Sequence, residues 1–193
     1  MAGLRLLLLP RYGVDESADW YGWLRQELTA KKKQLDLDEL IFVKPAPSLH
    51  MPEIDASVAA LRVALGSGEQ AARTGIIGHS LGAQIALRTL AEKQGGPIKA
   101  LLCVAGWLKL DQKVKTLKPW LETPFDEAAA KAHAGRIVNV LSKMDPNQIV
   151  WDDVRKDWEK RLGAEMRFIA TPGHVSEKEE PDVLAAAVDV FGK

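Results

Sequence analysis

Gly78-His79-Ser80-Leu81-Gly82 sets a serine between two glycines. Arg73-Thr74-Gly75-Ile76-Ile77 reads as a short buried strand just before it, and Leu81 to Gln94 reads as a helix just after it. A strand–turn–helix of this kind forces the serine into a strained backbone conformation. The flanking glycines remove side chains that would clash with strand and helix. The hydroxyl then projects above the sheet, beside the positive end of the helix. The chemistry implied is nucleophilic attack by Ser80 on an acyl carbon. The competing reading is an ordinary turn with Ser80 as a helix cap, and the pentapeptide alone divides evenly between the two.

A serine hydroxyl needs a base, and the base needs an orienting group. In sites built on such a turn the chain order is serine, acid, histidine. Asp145 follows a predicted strand in Leu141-Ser142-Lys143-Met144-Asp145-Pro146, and His174 follows another in Thr171-Pro172-Gly173-His174. Both fall at carboxyl ends of strands, where open parallel sheets place their sites. Taken singly, Asp145 before a proline is a turn residue and His174 a loop histidine; order and position together favour the catalytic reading. The competing acids Asp152 and Asp153 look like helix-start residues. Of the other histidines, His50 lies in a proline-rich loop and His133 in the helical stretch from Asp126 to Ala134. His79 adjoins the serine with its ring turned away, as a packing residue. An oxyanion hole would take one donor from the Leu81 backbone N–H and a second from the loop after the first strand, at Arg11 or Tyr12.

These groups need a parallel sheet to bring them together. Short apolar runs predict strands at Leu4–Leu9, Leu40–Val43, Thr74–Ile77, Ile98–Val104, Arg136–Leu141 and Met166–Ala170. They lack clean alternation, as strands buried on both faces do. Helical spacing fills the gaps: Ile54, Val58, Leu61 and Leu65; Trp151, Val154, Trp158 and Leu162; and Leu184, Ala187, Val188 and Phe191 after Pro181. Trp20, Leu24 and Leu28 mark a helix capped by Asp19 or Ser17. The alternation predicts a doubly wound α/β fold in one domain over residues 1–193, with no cap domain. Gly106 to Pro124 is long enough to wall a pocket, with Trp107 as the residue expected to line it.

With 26 basic and 26 acidic residues the chain has no net charge, which leaves no electrostatic footprint for nucleic acid or an anionic membrane. Cys103 is the only cysteine and falls in a predicted buried strand, where it reads as a packed thiol. No cluster has metal-ligand spacing, so no metal and no cofactor is expected. The opening MAGLRLLLLP has too short an apolar run for a signal peptide and reads as a first strand. A cytoplasmic location is the expectation.

Trp20-Tyr21-Gly22-Trp23-Leu24, Ile76-Ile77-Gly78-His79-Ser80, the Leu141–Pro146 segment and Pro172-Gly173-His174 together resemble the retinoblastoma-binding protein nine type of small serine hydrolase, a compact branch of the α/β hydrolases. The likeness runs nearly end to end. It implies a six-stranded parallel sheet in the order 2-1-3-4-5-6 and carries Ser80, Asp145 and His174 into a catalytic triad. Two features depart from the family. The loop after the first strand reads Pro10-Arg11-Tyr12-Gly13 rather than glycine-rich, and a Leu-x-Cys-x-Glu motif is lacking, so a retinoblastoma-type partner is not supported. The expected activity is hydrolysis of small esters, thioesters or amides through an acyl-enzyme, with a small acyl compound as the partner. A binding protein that keeps the fold and has lost the chemistry is the alternative.

Overall fold

The computed structural model describes residues 2–110, 115–147 and 151–192. Part of the long loop after the fourth strand, residues 111–114, therefore lies outside the described residues, as do 148–150. Strands β1 (Leu4–Leu9), β2 (Leu37–Phe42), β3 (Thr74–His79), β4 (Ala100–Val104), β5 (Arg136–Ser142) and β6 (Glu165–Ile169) form one sheet in the order β2-β1-β3-β4-β5-β6. Every pairing is parallel. This is the order the resemblance implied. The strand bounds move by a few residues; β3 runs through Gly78 to His79, so Ser80 sits immediately at its end.

The connecting helices are α1 (Tyr21–Ala30), the short α2 (Lys32–Leu35), α3 (Ile54–Leu65), α4 (Gly68–Ala72), α5 (Leu81–Ala91), α6 (Lys118–Glu122), α7 (Glu127–His133), α8 (Trp151–Asp157) and α9 (Pro181–Phe191). The continuous apolar run of β1 divides by the strand's period of two. Leu7 and Leu9 point into a core shared with Ile76, Leu101 and Ile137, under Leu61 of α3 and Leu87 of α5. Leu4, Leu6 and Leu8 point the other way, joining Ile77, Leu102 and Val138 under Leu24 and Leu28 of α1 and Val183 and Phe191 of α9. Both faces are thus dry, which is why the central strands could not alternate with polar residues. Cys103 lies wholly inside the first of these cores, and burial pushes its thiol pKa up.

Two helix details depart from expectation. The α1 helix begins without a side-chain cap, because Asp19 binds the Arg11 guanidinium and the Ser17 hydroxyl donates to Asp15. The helix expected through Leu162 changes to a wider π-turn over Trp158–Leu162 and ends at Gly163, which adopts a left-handed conformation (φ 64°). Charges mark the outer strands. On β2, Glu39 pairs with Arg5 at 2.8 Å and Asp38 with Arg73 at 3.1 Å. On β6, Glu165 and Arg167 share a network with Arg136 and Asp189. Among the described residues no helix is long and apolar enough to cross a membrane.

The α5 helix lies hard against the sheet at its first turn. A Cβ on Gly82 would stand 2.5 Å from the Leu9 carbonyl oxygen and 2.8 Å from Leu9 Cβ, both on β1. Neither is a flexible side-chain end, so Gly82→Ala must push the helix away. The expected cost is about 1–3 kcal/mol, as for other overpacked cores. A urea titration with unchanged slope and a lower midpoint would show it, and an unshifted midpoint would contradict the packing.

Candidate active site

Ser80 follows β3 and precedes α5, with φ 53° and ψ −107°. A non-glycine residue with positive φ costs energy that only surrounding structure can hold in place. Here the Ser80 N–H donates to the Val104 carbonyl at 2.8 Å, and the Ser80 carbonyl accepts from the Ala83 N–H at 3.0 Å. Gly78 permits the sharp return: a Cβ there would meet the Ala83 nitrogen and the Gly82 carbonyl carbon at 2.7 Å. The Ser80 side chain makes no capping bond to the helix, which removes the reading of Ser80 as a helix cap. Instead its Oγ accepts a hydrogen bond from the Trp107 indole N–H at 3.2 Å. With an oxygen lone pair so engaged, the hydroxyl proton is left for another acceptor.

The acid and the histidine meet across the tops of β5 and β6. His174 Nδ1 lies 2.7 Å from Asp145 Oδ2, while Asp145 Oδ1 accepts the Asn147 N–H at 2.9 Å. The Asp145 side chain is fully buried and that of His174 is partly exposed. A carboxylate on Nδ1 fixes the tautomer, so the lone pair of neutral His174 is on Nε2. Ser80 and His174 both line a cavity of about 140 Å³, with Arg11, Tyr12, Leu110, Leu117 and Asn147. The competing residues do not converge on it. Asp152 and Asp153 occupy the first turn of α8 and pair with Arg155 and Lys156. His133 contacts the Leu90 carbonyl behind α5, and His50 receives the Tyr12 hydroxyl on its backbone oxygen.

The two alternatives for the donor on the first loop, Arg11 and Tyr12, are not equivalent. The Arg11 N–H donates to the Tyr21 hydroxyl at 2.9 Å and is thereby withdrawn from the cavity. Tyr12, the other candidate on that loop, lines the cavity with Ser80 and His174. Trp107 also departs from its expected place. It is wholly buried and absent from the cavity wall, since its N–H is turned onto Ser80 and its carbonyl accepts from the Gln84 amide. Trp20 and Trp120 are likewise interior, and Tyr12 is the aromatic residue that lines this cavity among the described residues.

Sequence reasoning missed three supporting groups. Asn139 is buried mid-strand in β5, with Oδ1 accepting the Gly106 N–H at 3.1 Å and Nδ2 donating to the Gly106 carbonyl at 3.2 Å. It fixes the chain one residue before Trp107. The signal was available, since a lone amide in an apolar strand needs a buried partner. Tyr21 and His79 are the others: His79 Nδ1 lies 2.7 Å from the Tyr21 hydroxyl, and His79 Nε2 lies 3.0 Å from the His174 carbonyl. The adjoining Val175 carbonyl accepts the Trp20 indole N–H at 2.7 Å. The loop that carries His174 is therefore pinned from below at two successive residues. Burial holds the His79 pKa well below the ordinary histidine value, and the nearby His174 adds to that; burial likewise pushes the Tyr21 hydroxyl well up.

The sequence model of a family described as serine hydrolase matches residues 6–191. No curated protein matches the sequence. Among solved structures, the ydeN gene product of B. subtilis superposes with a TM-score of 0.83 at 19% identity, covering 98% of this chain and all of that one. A carboxylesterase structure from the ammonia-oxidizing thaumarchaeon Nitrososphaera gargenis gives 0.65 at 14% identity over 98% of this chain and 91% of that one. Zea mays acyl-protein thioesterase 2 gives 0.58 at 14% identity, over 100% and 95%. At these identities the likeness shows the fold, an α/β-hydrolase sheet with its surrounding helices.

The burial of neutral His79 has a measurable signature. In the unfolded chain a histidine takes up a proton below about pH 6.5, whereas folded His79 does not. Stability should therefore fall as pH drops from about 6.5 towards the lower folded value, by up to about 1.4 kcal/mol per pH unit from this group. Denaturant titrations from pH 7 to pH 5 on the wild type and His79→Gln should show the shallower dependence in the variant; equal slopes would contradict it.

Proposed function

Because the chain belongs to the serine hydrolase family, we propose that it hydrolyses small acyl esters, thioesters or amides through an acyl-enzyme on Ser80, with His174 as general base and Asp145 as its orienting acid. The observation that carries this reading is the His174–Asp145 hydrogen bond at 2.7 Å on the rim of the cavity into which the strained Ser80 opens. Ser80 Oγ attacks the acyl carbon and its proton passes to His174 Nε2. Asp145 holds Nδ1–H and stabilises the imidazolium that results. The oxygen of the tetrahedral intermediate accepts from the Leu81 and Tyr12 N–H groups, aided by the N-terminal end of α5. His174 then protonates the leaving alcohol, thiol or amine as the intermediate collapses to the acyl-enzyme. Water, deprotonated by the same histidine, releases the acid and restores Ser80.

The cavity speaks for a short acyl group. Its volume of about 140 Å³ is below the roughly 300–1,000 Å³ of sites that hold drug-sized ligands. Leu110, Leu117 and Tyr12 give it apolar walls. The one guanidinium on its edge, Arg11, is held by both oxygens of Asp19, so its charge is already answered.

Ser80→Ala should abolish turnover and labelling by a fluorophosphonate, a loss on the order of 10⁶ in kcat if the residual rate is measurable. Wild-type protein that neither takes the label nor cleaves any ester or thioester of a panel would instead mark a fold without its chemistry. Asp145→Asn should keep the fold and lower kcat by roughly 10⁴, by setting the wrong histidine tautomer. A larger loss in Asp152→Asn or Asp153→Asn would reassign the acid.

Chain-length selectivity tests the cavity. Nitrophenyl acetate and butyrate should be cleaved with higher kcat/KM than the decanoate, and the reverse order would mean that the acyl group lies elsewhere.

A further inference from the structure

The tyrosine hydroxyl and the imidazole beneath the site have few protons to distribute, and the geometry leaves one arrangement. Tyr21 Oη has a single proton. It accepts the Arg11 N–H at 2.9 Å and has both Asp19 and His79 Nδ1, the latter at 2.7 Å, as further neighbours. The direction is set at the far end, where His79 Nε2 faces the His174 carbonyl, which can only accept, so that in the neutral ring Nδ1 receives the Tyr21 proton. An Nδ1 that accepts leaves the ring proton on Nε2, which donates to the His174 carbonyl at 3.0 Å. The opposite tautomer would set the Nε2 lone pair against a carbonyl oxygen. A doubly protonated ring would put a charge where His79 is fully buried and where the His174 ring centroid stands 5.4 Å away. Asp19, 4.0 Å from Nδ1, is the one acid facing the ring among the described residues; the Arg11 guanidinium bonds each of its oxygens, and the Tyr21 hydroxyl is within its reach as well.

This chain of donors begins on the loop after β1 and ends on the loop after β6. Arg11 and Tyr12 on the first and His174 on the second all line the cavity. We propose that Tyr21 and His79 are positioning residues for the reaction: a one-way relay, Arg11 N–H to Tyr21 to His79 to the His174 carbonyl, that sets the oxyanion-side loop and the base loop in register with each other. The relay rests on the serine-hydrolase reading of the site. It touches neither substrate nor reacting atoms, and no proton moves along it during turnover. It acts through the spacing between Tyr12 and His174.

The relay makes Tyr21→Phe the informative variant, because it removes one oxygen and keeps the ring packed against Trp20 and Phe42. In wild-type protein, ¹⁵N imidazole spectra should show His79 as the neutral Nε2–H tautomer throughout pH 5–8. In Tyr21→Phe the Nε2–H tautomer should persist while the Nδ1 resonance shifts through loss of its donor, and kcat on the best ester of the panel should fall about tenfold, the value of one hydrogen bond, with KM changed less than twofold. His79→Gln, which keeps a donor for the His174 carbonyl, should retain more activity than His79→Leu. Wild-type His79 in the Nδ1–H form, or titrating within this range, would overturn the relay's direction. An active wild type with unchanged kcat in folded Tyr21→Phe would overturn its role. A wild type with no turnover at all would instead strike at the hydrolase reading, and the spectra would still decide the hydrogen-bond chain.

Discussion

The turn at Ser80 is the constraint from which the site follows. Its φ of 53° is unfavourable for any side chain, and it persists because β3, α5 and β1 are packed too closely for another path. Gly78 and Gly82 permit that approach, each leaving room only for hydrogen where a neighbouring backbone stands under 3 Å from a would-be Cβ. The strain and the packing are two sides of one arrangement. The helix cannot relax outward without opening the core around Leu9 and Leu87, and the serine cannot relax without moving the helix. Ser80 is presented to the cavity as a consequence of how the sheet is covered.

The acid and base are secured differently. Their loops are irregular, so polar contacts take the place of close packing. Asp145 spans the distance between the Asn147 N–H and His174, and the backbone at His174 and Val175 hangs from His79 at the end of β3 and Trp20 just before α1. Asn139 does the same for the chain leading into Trp107. Each of these buried polar groups meets a partner, and each partner is a loop that reaches the cavity. In an interior of low dielectric, an unmet group of this kind costs more than the bond contributes. Loop geometry is thereby over-determined without regular secondary structure.

The sequence was most legible where local physics decides. The apolar runs of β1 and β3, the Ile54–Leu65 periodicity and the elbow pentapeptide each fix an element within one segment of chain. The order of serine, acid and histidine placed Ser80, Asp145 and His174 at one end of the fold because strands end on the same side of a parallel sheet. Side-chain destinations were less legible. Asp19 looked like a helix cap because its spacing suits one, but its carboxylate is taken by the Arg11 guanidinium, which makes two bonds to it. Trp107 looked like a pocket wall because it follows a strand end; the Gly106–Asn139 contact, 33 residues apart in sequence, and the Gln84 bond to its carbonyl turn it inward. Arg11 was offered as an oxyanion donor from its place in the loop, and Tyr21, on another element, claims its N–H.

The charged outer strands bear on how the molecule behaves in company. A parallel sheet ends in two rows of unpaired backbone groups, and an apolar row of that kind recruits further strands from other chains. On β2 the exposed carboxylates of Asp38 and Glu39, and on β6 that of Glu165 with Asp189 beside it, are matched to arginines in or next to their own sheet. Such surface pairs add little to folding free energy. Their effect is on encounter: a second copy approaching edge to edge must strip water from these carboxylates and separate them from their arginines before any backbone bond can form. Charge on both outer strands thus disfavours strand addition at the sheet's margins, while the dry central strands stay out of reach.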